Sequence, residues 1–144
     1  MFNTIIQATQ NFCTHQIAEP FELSSEKVNT RTLIAYIDIQ TQSKSTYRVY
    51  ISSDLTFMQR VSKLFLEEDE SDEETLIDMT LETANLIIGS AKVIAEELNE
   101  NPYTIDTPHF IKVDVFDLEY DEIQALKVNN DTITVAIKEI DAEK

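Results

Sequence analysis

Glycine is almost missing from this chain: 144 residues contain one, Gly89, where ordinary usage would give roughly ten. A glycine-rich phosphate-binding loop of the P-loop or dinucleotide type is therefore excluded. Cysteine also occurs once, as Cys13, and tryptophan not at all. A lone cysteine excludes an internal disulfide and a cysteine-rich zinc site. Basic residues are scarce, with 11 Lys and Arg against 27 Asp and Glu, for a formal net charge of −16. That balance argues against binding a bare nucleic-acid backbone or an anionic membrane, both of which need clustered cations. No apolar run approaches the ~20 residues of a membrane-spanning helix. No basic stretch followed by an apolar run opens the sequence, so no signal peptide is read and a cytoplasmic location is expected.

Hydrophobic residues make up 42% of the chain, too many for a disordered chain and enough for a core. Neither a long flexible linker nor an internal repeat interrupts it, so residues 1–144 read as one domain. Charge is distributed unevenly. Residues 1–50 carry four acids and four bases, whereas residues 51–144 carry 23 acids and seven bases. The densest run, Glu67-Glu68-Asp69-Glu70-Ser71-Asp72-Glu73-Glu74, reads as a solvated, self-repelling linker.

Hydrophobic spacing sets out the elements. Phe2, Ile5, Ile6, Thr9, Phe12, Cys13 and Ile17 recur at helical spacing over 2–18, and Pro20 ends that helix. Segments 31–40 and 46–53 read as strands joined by a hairpin connection at 41–45. Asp54 is placed to cap a helix over 55–66, and a long helix fits 75–99, stopped by Asn101-Pro102. Strands follow at 103–106, 109–118, 122–128 and 132–139, with Asn129-Asn130-Asp131 suited to a tight turn. This order predicts an α/β (α+β) sandwich with a largely antiparallel sheet and long helices packed on it. It lacks the regular alternation of a Rossmann-type core.

The long helix carries the informative face. At 100° per residue, Asp78, Glu82, Asn85, Gly89, Lys92 and Glu96 fall within an arc of about 80°. Thr80, Ala84, Ile87, Ala91, Ile94, Ala95 and Leu98 lie roughly opposite and form the expected core face. Leu81 and Ile88 border the polar stripe on one side, Leu86 and Val93 on the other. A narrow polar stripe edged with large apolar side chains suggests a docking surface. Glycine inside a helix costs about 1 kcal/mol relative to alanine, so Gly89 implies a close approach to the backbone, by a partner or by another part of the same chain.

Glu82 and Asn85 stand three residues apart and project side by side. A carboxamide donates and accepts hydrogen bonds and does not titrate. Asn85 is thus a poor general base but suits holding a water in line for attack, as a glutamine does in some phosphoryl hydrolases. Glu82 suits anchoring a cation on a partner. A hydrolase also needs a metal and a phosphate cradle; the sequence offers neither, so both would come from the partner.

The pattern Asp78-x-x-x-Glu82-x-x-Asn85-x-x-x-Gly89 resembles the signature of the CheC/CheX/FliY phosphatases of bacterial chemotaxis. The likeness runs over about 31–139 and takes in the strand pair before the helices, Gly89-Ser90-Ala91-Lys92, and Tyr103-Thr104-Ile105-Asp106-Thr107-Pro108. Its single motif and its length are most like CheX. The resemblance implies dephosphorylation of the phospho-aspartate of a CheY-type response regulator. It implies that Asn85 orients the attacking water and Glu82 pairs with the regulator's active-site lysine. It also implies that Mg²⁺ sits on the regulator, with no cofactor in this chain, and that the protein forms a homodimer. Asp78, Gly89 and Lys92 take partner-binding places, Gly89 leaving room for the regulator's loops. CheC-type relatives have a second Glu-x-x-Asn site; neither the first helix nor 55–66 contains one, so a single site is expected. The turn at 41–45 lacks the glycine associated with the family, which predicts a longer or differently shaped turn.

Other candidates are weaker. Cys13 and His15 are two apart on a helix and do not share a face. His109 opens an apolar strand and reads as structural. Asn130-Asp131-Thr132 matches a glycosylation sequon that a cytoplasmic chain would not use. Two further readings stand beside the phosphatase: a non-catalytic module of the same fold that binds a receiver domain or a signalling or flagellar component, and an unrelated α/β interaction protein in which the helix stripe packs inside a dimer.

Overall fold

Strand side chains alternate between two faces, and here both faces are covered, one by helices and one by a crossing loop. The computed structural model describes residues 1–26, 29–100 and 102–140. In chain order these form helix α1 (Phe2–Asn11), a π-helical extension (Phe12–Ile17), β1 (Glu22–Ser24), β2 (Thr32–Thr41), β3 (Thr46–Asp54), α2 (Leu55–Leu66), α3 (Glu73–Glu97), β4 (Tyr103–Ile105), β5 (His109–Asp114), β6 (Glu122–Val128) and β7 (Asp131–Ile140). The strands build one seven-stranded sheet in the order β1-β6-β7-β3-β2-β4, with β5 also paired to β2. Every pairing is antiparallel. The expected sandwich with an antiparallel sheet is the fold observed.

Leu33, Ile37 and Ile39 of β2, Val49 and Ile51 of β3, and Ile133 and Val135 of β7 point to the helices. They share one buried core with Ile5 of α1, Phe57 and Met58 of α2, and Ile87 and Ala91 of α3. Ile34, Tyr50 and Ala136 point the other way, where Phe116 covers them. The first strand pair is therefore buried on both faces, which explains why 31–40 reads as nearly continuous apolar sequence.

Several boundaries differ from the sequence expectation. The strand expected over 109–118 stops at Asp114, where Val115 N–H turns back to donate to the Asp114 carboxylate at 2.7 Å. The released segment crosses the far face, and Phe116 meets Tyr50 with ring centroids 5.6 Å apart. The helix expected over 2–18 is α-helical only to Asn11, then widens into the π-helical extension and ends at Ala18 in the left-handed region. β1, three residues paired with β6, was not expected. Asp131 belongs to β7 rather than to the turn, which is Asn129-Asn130 between the paired Val128 and Asp131. Its carboxylate accepts hydrogen bonds from Thr56 (2.6 Å) and Arg60 (2.7 Å) of α2. At 41–45 the glycine-free turn is closed by Thr41 N–H donating to Ser45 O, and Lys44 takes φ 70°.

The acidic run is not a free linker. Gln59 of α2 donates to Glu68 O and accepts from Ser71 N–H at 2.8 Å, Ser62 and Ser71 hydroxyls meet at 2.6 Å, and Lys63 pairs with Asp69. Its last three residues, Asp72, Glu73 and Glu74, make the start of α3, two residues before the expected position.

Candidate functional site

Helix α3 is fixed at both ends by local chemistry. Asp72 caps its N-terminus, its carboxylate accepting from Thr75 N–H at 2.9 Å. Glu73 and Glu74 follow in the first turn, where the helix dipole favours anions. That hydrogen bond holds the Asp72 carboxyl below its ordinary value of 3.8. At the other end Glu100 N–H donates to Ala95 O (2.9 Å) and Asn99 N–H to Glu96 O (3.1 Å), with Asn99 at φ 59°. This is a Schellman closure with asparagine in the position glycine usually takes.

Between the caps, Leu76, Met79, Thr80, Thr83, Ala84, Ile87, Ile88, Ala91 and Ala95 are buried. Thr83 donates to Met58 Sδ of α2 at 3.6 Å, and α3 rests on β2 with α1 and α2 beside it. The core face is wider than its sequence assignment. Ile88, taken as a border of the polar stripe, is fully buried, whereas Leu98, taken as core, is exposed because the helix ends there.

The polar stripe faces away from this core. Asp78, Glu82, Asn85 and Glu96 are exposed, and Gly89 and Lys92 are half-buried. All the residues singled out in the sequence thus lie along one outward face of one element. Glu82 and Asn85 occupy neighbouring turns, with Cβ atoms about 5–6 Å apart by helix geometry. Among the described residues, neither Glu82 nor Lys92 is held in an ion pair. Within the chain itself, Glu82 and Asn85 are exposed rather than buried.

Gly89 answers the question the sequence left open. A Cβ built on it would meet no heavy atom within 4 Å outside its immediate surroundings in the helix. Close packing within the chain does not demand glycine there. Nor does conformation. No glycine has a positive φ, while Ala18, Lys44, Glu67, Asn99 and Asn129 do. The one residue built for left-handed backbone stands mid-helix, and residues with side chains take the left-handed positions.

Among the described residues, no group of three or more His, Cys, Asp or Glu side chains converges as a metal site. Cys13 is buried and His15 exposed. Burial pushes the Cys13 thiol up to about 11, leaving it protonated near neutrality. His109 stacks on Tyr36 at 5.1 Å, with Arg48 on the same ring at 4.0 Å. Arg48 also grips Asp38 through two hydrogen bonds of 2.8 and 3.0 Å. A groove of about 590 Å³ lies on the sheet face opposite α3, lined by Leu23, Phe116, Leu118, Tyr120, Ile123 and Thr134 among others. Local spacing carries no sign of it, because it forms where the crossing segment meets the unexpected β1.

A family model described as "Chemotaxis phosphatase CheX" matches residues 33–129, a span that contains the whole stripe. No curated protein matches significantly. Solved structures with the same fold include a CheC-like chemotaxis protein from Shewanella oneidensis MR-1 (TM-score 0.78, 13% identity, 96% of each chain covered). CheX from Vibrio vulnificus is similar at TM-score 0.74 and 16% identity, over 94% of this chain and 97% of that one. CheX in a CheX–CheY–BeF₃–Mg²⁺ complex from Borrelia burgdorferi is similar at TM-score 0.68 and 12% identity, over 95% and 97%. Among the described residues, no helix is long and apolar enough to cross a membrane.

Proposed function

The chain belongs to the CheX family of chemotaxis phosphatases, and on that premise we propose that it hydrolyses the phospho-aspartate of a CheY-type response regulator through the outward stripe of α3. The observation that carries this reading is the exposure of Glu82 and Asn85 on neighbouring turns of one helix, beside an open Gly89. In this reading α3 lies across the regulator's active site. The Asn85 carboxamide oxygen accepts a hydrogen bond from the attacking water and sets it in line with the phosphorus. Water oxygen bonds to phosphorus as the acyl-phosphate P–O bond breaks, giving inorganic phosphate and a free aspartate carboxylate. Asn85 does not titrate, so its contribution is alignment rather than proton removal.

Glu82 pairs with the regulator's active-site lysine. Asp78 and Lys92 extend the contact one turn further at either end. The Mg²⁺ that neutralises the phosphoryl group belongs to the regulator. The protein acts as a homodimer in the cytoplasm.

Phosphate release from phosphorylated CheY tests the catalytic assignment. Wild type accelerates release, and Asn85→Ala loses at least about a hundredfold in kcat, as removal of a positioned polar group does elsewhere. Equal rates for the two would refute the role of Asn85. Glu82→Gln raises KM more than it lowers kcat, because its contact precedes and outlasts the chemical step. A change confined to kcat would reassign Glu82 to the chemistry.

A further inference from the structure

The two apolar borders of the polar stripe do not survive folding equally. Ile88 is buried completely and Leu81 in part, so that border merges with the core. On the opposite flank, Leu86 stays 39% and Val93 52% exposed. These two side chains are seven residues apart, about 10 Å along the helix axis. Gly89 lies between them, and the three fall within an arc of about 60°. Above Gly89 there is open space where any other residue would carry a Cβ. The surface is a notch two turns long, with the bare helix backbone for a floor, Leu86 and Val93 along one side and Asn85 and Lys92 along the other.

We propose that this notch receives an apolar side chain from a loop of the phosphorylated receiver domain, and that Leu86, Gly89 and Val93 set affinity for that partner while Asn85 sets the rate. The inference rests on the function proposed above and deepens it by assigning the docking contact. Continuity chooses the occupant: Leu86 is adjacent to Asn85 in the chain, and Gly89 is one turn beyond it. A macromolecule that brings a phosphoryl group to Asn85 must cover the notch. The walls then choose the chemistry of what enters. The two aliphatic side chains along one side keep water from an apolar insert that packs on them, whereas a charged insert set against them would lose hydration. Glu82 and Lys92, at the edge, select by charge.

The test measures binding of the CheX-family chain to CheY activated with beryllofluoride and Mg²⁺, which mimics the phosphorylated state without turning over. Leu86→Ser, Val93→Ser and Gly89→Leu each weaken binding about tenfold or more, the scale of a lost interface anchor. In the hydrolysis assay they raise KM by a similar factor and leave kcat within about twofold. Leu98→Ser removes an apolar side chain that is 61% exposed but outside the notch, and binds like wild type. Gly89→Leu is the decisive variant, because it adds helix propensity and its Cβ meets nothing inside the chain; an undiminished melting temperature separates a loss of binding from a loss of fold. Wild-type binding by all three notch variants overturns the inference and leaves the proposed chemistry standing. Weakened binding together with an unimpaired Asn85→Ala keeps the notch and overturns the chemistry. No binding by wild type overturns both.

Discussion

Gly89 and the five left-handed positions illustrate one choice made at the level of single residues. A side chain in the left-handed region costs about 1–2 kcal/mol, less for asparagine, and this chain carries that strain at Ala18, Lys44 and Glu67. Glu67 closes α2 with its N–H on Lys63 O, and glycine would make the same bond without strain. Glu67→Gly therefore stabilises the protein by about 1 kcal/mol, visible as a raised melting temperature. Gly89→Ala also stabilises, by up to about 1 kcal/mol, since alanine is the better helix former and the space is open. A fall in melting temperature for Gly89→Ala would show that the glycine serves the fold. Cys13, with its thiol at about 11 through burial, should resist alkylation in the folded protein and react only as the protein opens. Fast labelling under native conditions would contradict its burial.

At the scale of elements, α3 was legible because its information is local. A 3.6-residue period runs along it, and every residue of the proposed site lies on that one helix, although its cap, Asp72, was hidden in the acidic run. The polar face could therefore be read without knowing the sheet. The errors on α3 have simple causes. Helical phase alone put Leu98 in the core, but the Schellman closure ends the helix there. Phase alone left Ile88 at the border, but β2 and its neighbours make a wide floor that buries it. The acidic run looked like a linker because charge density conceals structure held by neutral partners, here Gln59, Ser62 and Ser71. Asp72→Ala should lower stability by removing the cap, measured by denaturant unfolding. Because the cap lowers the folded-state pKa of Asp72, its contribution is present at neutral pH. It is lost as pH falls below the ordinary value of 3.8, through the lowered folded-state value. The wild-type and Asp72→Ala stability curves should converge in acid; a gap that persists there would deny the carboxylate its capping role.

For the whole molecule, what stayed hidden is what depends on distant pairing. Nothing in Glu22–Ser24 signals a strand until β6 lies beside it. Residues 115–118 follow the apolar habit of β5, yet their burial comes from covering Tyr50 rather than from joining the sheet. Sheet order and the groove on its far face arise from such contacts and leave little trace in local spacing. The polar face of α3 avoids this difficulty because it belongs to one helix. The −16 charge, concentrated after residue 50, suits the proposed reaction, in which a partner would supply the metal and the phosphate cradle.

The most direct measurement compares wild type and Asn85→Ala at equal occupancy of phosphorylated CheY, with binding to the beryllofluoride form measured alongside. Asn85→Ala should bind within a few-fold of wild type and release phosphate at nearly the regulator's own rate. Release by Asn85→Ala at the wild-type rate would contradict the assignment of α3 as the catalytic face.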